Sequence, residues 1–368
     1  MVVKISSVDD CGCGITRIHN KVCFVENALQ DEVVEIEMVA EKKKYSIAKV
    51  SRYIEKSKDR VFSSCPYHKD CGGCRYMETS REYELKMKSQ TVLEQLKRNI
   101  QNDFLFLGIE SGNDKNYRNK VVLHSDGKRL GFYQEKTHNL VEIENCQLLD
   151  ERINRIIPSL PKSSDIMIRT SNENDDLLIG EEDQTIISTI VDYSFRISHN
   201  SFFQVNCEIT EKLYQYIYET VKSKSPKNVL DLYCGIGTIG IFIHTLVEEV
   251  LGVEIVEEAV EDANYNKKLN QIENISFLCG DVSKYIDSFI DQYDLIMVDP
   301  PRGGLAKKVV EEMIRISSKT IIYTSCNPRS LIRDLKLLSE KYEVESIKLF
   351  DMFPRTYHVE TVCVLNRR

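Results

Sequence analysis

The sequence predicts an α/β chain: a mostly parallel, helix-wound sheet in the C-terminal half, preceded by a small β-barrel and a mixed α+β central segment. Three observations carry that prediction. From about residue 226, short apolar runs (N-V-L-D-L, V-L-G-V-E, I-S-F-L-C-G, D-L-I-M-V-D, T-I-I-Y-T-S) alternate with helical stretches at 257–270 and 306–317, as in a parallel sheet buried on both faces. Two later strand-like runs, 343–350 and 359–366, would close it with an antiparallel element. The first 60 residues hold short strand-like runs separated by turn signals, as in a small barrel. Between them, a charged helical stretch at 81–99 leads into a mostly β region at 117–198. The domains expected are 1–60, 61–198 and 199–368.

The barrel segment carries V-C-F-V at 22–25, V-V-E-I-E-M-V at 33–39 and S-I-A-K-V at 46–50. Its end is basic. Lys42, Lys43, Lys44, Lys49, Arg52, Lys56, Lys58 and Arg60 are opposed only by Glu55 and Asp59. That local excess could neutralise phosphates, although a formal net charge of −8 argues against indiscriminate nucleic-acid binding. A solvated basic face is the plain alternative. Cys11 and Cys13 in C-G-C-G read as turn residues, because two further ligands are missing nearby. No apolar run approaches the roughly 18 residues that span a bilayer, and residues 1–10 contain no apolar signal core. The chain is therefore expected in the cytoplasm, without a membrane partner. Its twelve cysteines then point to ligand and catalytic roles before disulfides.

The central segment opens on Cys65-x5-Cys71-x2-Cys74, with Gly72 and Gly73 in the tight turn, and Cys146 follows in I-E-N-C-Q-L. Four thiolates can hold zinc or a [4Fe–4S] cluster. Zinc ribbons favour two C-x2-C knuckles, which this spacing lacks; both groups stay open.

In the sheet half, D-L-Y-C-G-I-G-T-I-G places Gly235, Gly237 and Gly240 at G-x-G-x-x-G spacing, a weak signal alone. Asp231 just before the glycines would face an incoming pyrophosphate, which disfavours a dinucleotide. A carboxylate there suits the cationic methionine end of S-adenosylmethionine. Glu254, at the tip of the second strand, is placed for ribose hydroxyls, and Asp281, ending the third, for the adenine amino group.

The fourth strand ends in V-D-P-P-R, Asp299 to Arg302. Arg302 stands where amino-group methyltransferases carry a stacking aromatic, and no second cysteine of the 5-methylcytosine type is present. What remains is single-cysteine chemistry at C5 of uracil, a poor nucleophile until a thiolate adds to C6. Nucleophilic catalysis of this kind splits one hard step into easier ones. Cys326, in Y-T-S-C-N-P after the fifth strand, is the candidate thiol, and Glu360, ending F-P-R-T-Y-H-V-E, the candidate base. The site is expected to favour the thiolate electrostatically. The bland alternatives are a small buried hydrophobe for Cys326 and a solvated carboxylate for Glu360.

Together, D-L-Y-C-G-I-G-T, D-P-P-R, Y-T-S-C-N-P, F-P-R-T-Y-H-V-E, H-N-S-F-F-Q-V-N and Y-R-N-K resemble the S-adenosylmethionine-dependent RNA uracil-5-methyltransferases over nearly the whole chain. The resemblance implies a Rossmann-like class I methyltransferase domain, Cys326 as nucleophile and Glu360 as base. It implies donor binding by Gln204, Tyr233, Glu254, Asp281 and Asp299. The first 60 residues are similar to a TRAM domain, an OB-like RNA-binding barrel. Cys65, Cys71, Cys74 and Cys146 match the cluster-ligand pattern of the 23S ribosomal RNA branch, which implies a [4Fe–4S] cluster and ribosomal RNA as substrate. A monomer is expected. The same chemistry on transfer RNA is the nearest alternative. A non-catalytic RNA-binding protein with a relict donor fold is disfavoured by intact Cys326 and Glu360. Two departures from the family pattern are Thr238, where asparagine is frequent, and His19-Asn20, where a glycine turn is usual.

Overall fold

The structure, a computed structural model, describes residues 1–180, 184–289 and 293–368. β1 (Val2–Lys4), β2 (Ser7–Val8), β3 (Gly14–Ile18), β4 (Lys21–Glu26), β5 (Val33–Glu41) and β6 (Tyr45–Glu55) form one sheet in the order β1-β5-β6-β4-β3-β2. β1 and β2 lie at opposite edges yet only Ile5 and Ser6 separate them, so the sheet must roll up on itself. Ile5, Val25, Val34, Ile36 and Ala48 fill its interior. The β3–β4 turn is His19-Asn20, with φ of 49° and 63°, so a two-residue hairpin forms without glycine. Three of the eight basic residues are neutralised locally. Lys49 pairs with Glu37, Arg52 with Glu35, and Arg60 is buried against Glu32 and Glu78. Lys42, Lys43 and Lys44 stay exposed at the β5–β6 tip.

α1 (Arg81–Asn99) starts at Ser80, whose side chain accepts the Tyr83 N–H, and ends on Lys97 and Arg98, which suit the negative end of its dipole. β7 (Leu105–Glu110) follows. β8 (Lys120–Ser125), β9 (Leu130–Tyr133), β10 (Leu140–Glu142), β11 (Ile166–Thr170) and β12 (Leu177–Ile179) make an antiparallel sheet in the order β10-β9-β8-β11-β12. α2 (Glu151–Ile156) packs on it through Ile153. β13 (Thr185–Ile190) and β14 (Tyr193–Ser198) form a hairpin.

β15 (Asn228–Leu232), β16 (Glu249–Glu254), β17 (Ile275–Cys279), β18 (Leu295–Val298), β19 (Thr320–Ser325), β20 (Tyr342–Phe350) and β21 (Glu360–Arg367) join β7 in an eight-stranded sheet. Its order is β17-β16-β15-β18-β19-β21-β20-β7, with β21 antiparallel to both neighbours. Residues 81–110 lie within the expected central domain, yet they complete this sheet: β7 pairs with β20, and Val92 and Leu96 of α1 pack on one face. α3 (Cys207–Lys224), α4 (Thr238–Ile243) and α5 (Glu257–Leu269) cover the other face with the β13–β14 hairpin. α6 (Val282–Tyr285), α7 (Lys307–Ile316) and α8 (Pro328–Leu338) share the α1 face. The chain winds outward from β15 through β16 and β17, then returns to the other side through β18 and β19. The carboxyl ends of β15 and β18 thus flank a topological switch point, where open α/β sheets bind ligands. Among the described residues, no helix is long and apolar enough to cross a membrane.

Candidate active site

The carboxyl edge of the large sheet gathers most of the predicted residues. Asp231 lies in β15 with Tyr233 just past its end, Glu254 ends β16, Asp281 follows β17, Asp299 follows β18 and Cys326 follows β19. Because β21 runs antiparallel, its first residue, Glu360, sits on the same edge. The last ladder pair there is Ser325 with Thr361, so one step outward sets Cys326 opposite Glu360. Opposed side chains in such a ladder stand about 5 Å apart at Cβ.

Around the switch point the backbone is constrained. Tyr233 has a φ of 64°, in the left-handed region that non-glycine residues rarely enter. Gly237 has a φ of 80°, and a Cβ there would lie 2.5 Å from the Phe277 ring, so only glycine fits. Glu254 holds the turn: its carboxylate accepts the N–H groups of Gly235 (3.1 Å), Ile255 (2.7 Å) and Val256 (2.9 Å). Asp281 caps α6 by accepting the Ser283 N–H at 2.9 Å, and hydrogen bonding by Ser283 draws its carboxyl below the usual range. Thr238 is engaged by Tyr214, hydroxyl to hydroxyl at 2.8 Å.

Two buried carboxyls, Asp231 and Glu360, and the half-buried Asp299 have raised pKa values at this edge. Burial pushes Asp231 up to about 8; the charges of Asp299 and Glu254 add, and the Gly240 N–H opposes. Burial also raises Asp299 and Glu360, and Asp299 discourages ionisation of Glu360 further while Arg302 favours it. Gln204, between β14 and α3, is buried, and its carbonyl accepts the Asn119 side-chain amide at 3.1 Å. Asp231 Oδ2 and Gln204 Oε1 have no partner among the described residues. Unmet buried oxygens cost about 1–3 kcal/mol each, and a ligand with N–H donors and positive charge would satisfy them. The methionine end of S-adenosylmethionine has both.

Cys326 is half-buried and opens on a cavity of about 250 Å³, whose walls include Lys88, Arg302, Tyr357, His358 and, from the barrel, Asp10. Asp10 reaches the first turn of α8, where Arg329 donates to it from Nε and Nη2, each at 2.5 Å. The barrel therefore forms part of the thiol pocket. Burial pushes the Cys326 thiol up to about 11, Glu360 and Asp299 add to the rise, and the Arg302 guanidinium opposes it. This corrects the expectation of a thiolate-favouring site: in the ligand-free chain, low polarity and two neighbouring carboxyls outweigh one arginine. Arg302 also donates to His358 (2.7 Å to Nδ1). Burial, then Arg302 and Lys88, push His358 down to about 4, so it stands neutral as an acceptor.

Cys65, Cys71 and Cys74 occupy the loop before α1, and Cys146 the turn before α2. Burial raises the Cys71 and Cys74 thiols, and Cys65 and Cys146 add to both rises, so the fold draws all four together. Among the described residues, no three of them have sulfurs within 4.8 Å of one another. A tetrahedral zinc with Zn–S near 2.3 Å needs sulfurs about 3.8 Å apart. Four thiolates are a donor set that either a zinc ion or a [4Fe–4S] cluster accepts. Cys11 and Cys13 lie in a turn whose N–H groups both bond Asp9 Oδ1 (2.9 and 2.7 Å).

The family profile described as tRNA (Uracil-5-)-methyltransferase matches residues 181–368. The chain belongs to this family of RNA uracil-5-methyltransferases. Two relatives match end to end. An uncharacterised RNA methyltransferase of Staphylococcus aureus (strain COL) is 30% identical, over 99% of this chain and 98% of its own. One from Caldanaerobacter subterraneus subsp. tengcongensis is 32% identical, over 100% and 98%. Among solved structures, the Pyrococcus abyssi tRNA (uracil-54, C5)-methyltransferase in complex with S-adenosyl-L-homocysteine shares the fold with a TM-score of 0.79 at 23% identity, covering 99% of this chain and 100% of that one. The chain is thus an S-adenosylmethionine-dependent RNA (uracil-5-)-methyltransferase. For such an enzyme, sequence reasoning missed Arg302 as the cation beside the thiol. The D-P-P-R run was its only signal, and it served merely to exclude other base chemistries.

Proposed function

We propose that this methyltransferase modifies C5 of a uridine in ribosomal RNA through a covalent bond between Cys326 and C6, with Glu360 removing the C5 proton. The observation that carries this reading is the ladder ending at Ser325 and Thr361, one step beyond which Cys326 and Glu360 come close enough for the carboxylate to act on the thiol, beside the switch point. S-adenosylmethionine supplies an electrophilic methyl group, and Gln204, Tyr233, Glu254, Asp281 and Asp299, with Asp231, would hold it. Cys326 loses its proton to solvent and adds to C6 as thiolate, and the C5–C6 π electrons move toward O4, which makes C5 nucleophilic. After C5 takes the methyl group, Glu360 accepts the C5 proton, the double bond re-forms and Cys326 leaves as thiolate. The reacting uridine must be unstacked, since thiol and donor approach its ring together. Cys65, Cys71, Cys74 and Cys146 would hold a [4Fe–4S] cluster, and the rolled barrel would act as a TRAM-type RNA contact.

Glu360→Gln keeps size and hydrogen bonding but removes the base. It should transfer the methyl group and then stall as a protein–RNA adduct carrying donor label on denaturing gels. Normal turnover without adduct would assign the base elsewhere. Transfer RNA is the second reading, because the Pyrococcus abyssi protein, matched over the whole chain, is named for a tRNA uridine. Mapping 5-methyluridine in both RNA classes from cells lacking this protein separates them: loss confined to transfer RNA would overturn the ribosomal assignment.

A further inference from the structure

Residues 351–359, between β20 and β21, supply no group to the proposed chemistry, yet the central segment grips their backbone carbonyl by carbonyl. Lys88 Nζ donates to the Phe353 carbonyl (3.1 Å), Tyr117 Oη to that of Pro354 (3.0 Å), and the Arg75 and Tyr76 N–H groups to that of Arg355 (2.8 and 3.0 Å). Arg355 returns the grip. Its N–H donates to buried Glu84 (2.7 Å), its Nε to Asp114 (2.7 Å), and its Nη1 to the carbonyls of Tyr76 (3.2 Å) and Thr79 (2.9 Å). Its backbone is left-handed, with a φ of 68°. An arginine holds that conformation only where its surroundings fix it. Beneath it, Lys88 joins Glu84 (2.9 Å) and Asp351 (2.6 Å), all three fully buried. Past it, the Thr356 hydroxyl closes on the Phe353 carbonyl (2.8 Å) and accepts the His358 N–H (3.2 Å), and two residues later Glu360 begins β21.

We infer that Arg355 is a positioning residue for Glu360, clamping the lead-in to β21 onto segment 75–79 and α1 so that the carboxyl stays beside Cys326. The inference rests on Glu360 being the base. Because Arg75 directly follows Cys74, the same clamp ties the base to the cysteine loop. A tie that serves stability alone would lower the melting temperature and leave methyl transfer and adduct release in unchanged proportion.

The test uses full-length Arg355→Ala beside Glu360→Gln, with amide hydrogen exchange over 356–361, the donor KM, and methyl-labelled adduct as readouts. Arg355→Ala should exchange at least about tenfold faster there, keep its donor KM, lose up to about 100-fold in kcat, and accumulate labelled adduct. Unchanged exchange, or equal loss of methyl transfer and release, overturns the inference. If Glu360→Gln traps adduct and Arg355→Ala does not, the clamp is wrong and the base assignment stands. If neither traps adduct, the base assignment fails and takes the clamp with it. Should Arg355→Ala fail to fold, Asp114→Asn removes one jaw of the clamp and should shift exchange and adduct the same way by a smaller factor; no shift overturns the inference.

Discussion

Asp231 should make donor binding pH-dependent. Its carboxyl is fully buried, has one oxygen without a partner among the described residues, and stands at about 8 against an ordinary 3.8. At about 1.4 kcal/mol per pH unit, ionising it in the empty site at pH 7 would cost about 1.4 kcal/mol. The ligand-free chain therefore keeps it protonated at pH 7. A donor bearing ammonium and sulfonium charge needs the ionised form, so binding must expel the proton. With a carboxyl at about 8, the ionised fraction rises about ninefold between pH 6 and pH 7, and donor affinity should rise by the same factor. The window stops at 7 because an α-amino group itself begins to lose its proton near 8. Isothermal titration calorimetry in two buffers of different ionisation enthalpy should give about 0.9 proton released per donor at pH 7. The sign for stability is opposite. Between pH 4 and 8 the folded chain holds a proton that the unfolded chain has lost, so ligand-free stability falls as pH rises, and the donor should restore it most at pH 8. Asp231→Asn should bind donor weakly at every pH, flatten the affinity profile and melt higher than wild type at pH 8 without ligand. A wild-type affinity that is flat from pH 6 to 7, or an equal slope in the Asn variant, would refute the reasoning.

Three other outcomes are expected. Arg302→Ala removes the cation opposing the rise of the Cys326 thiol, so alkylation of that thiol by iodoacetamide at pH 9 should slow; an unchanged rate would mean that Arg302 does not act on it. Cys326→Ala should abolish methylation while calorimetry still finds donor binding, and residual 5-methyluridine would rule out the adduct. Replacing Lys42, Lys43 and Lys44 together by Ala should reduce the slope of log affinity against log salt for single-stranded RNA by about 2, with the modified site unchanged; an unaltered slope would leave these lysines merely solvated.

What the sequence disclosed depended on whether local pattern and tertiary role coincide. The helices read at 81–99, 257–270 and 306–317 appear at Arg81–Asn99, Glu257–Leu269 and Lys307–Ile316; the last shows its burial face in its own apolar periodicity, while the first two also bury Glu84, Lys88, Asp262 and Asn266. β7 had no such signature. It is a half-exposed edge strand, and its partner β20 lies more than 200 positions away, so nothing local announces the pairing. α3 has little local signature, because its Y-Q-Y-I-Y run mixes strand-favouring aromatics into a helical spacing and the Asn206 cap marks its start. In the site, Cys326 and Glu360, the groups proposed as nucleophile and base, could be picked out because the proposed reaction demands a thiol and a carboxylate. The place of Arg302 could not. It depends on a loop turned back by Asp334, which accepts the Leu305 N–H at 2.8 Å and the Tyr323 hydroxyl at 2.7 Å. Nor was the direction of the Cys326 shift legible, since burial is a property of the assembled chain.

That shift looks adverse for catalysis until Glu360 is weighed with it. Burial raises both groups. For a base the rise is useful: a carboxylate with an ordinary pKa near 4.3 takes protons poorly at neutral pH, and general bases work best when matched to the operating pH. For the thiol, the rise lowers the thiolate fraction but makes the thiolate that does form a stronger nucleophile. Two of the causes raising the thiol are the charges that Glu360 and Asp299 carry when ionised, and burial makes those same carboxyls harder to ionise. The thiolate therefore forms most easily while Glu360 is neutral, with Arg302 alongside. In the proposed reaction, once sulfur is bonded to C6 its charge is gone, and the Glu360 carboxyl can ionise and then take the C5 proton. Each group is thus easiest to ionise when the other does not need its charge, and a net proton leaves with every methyl group transferred.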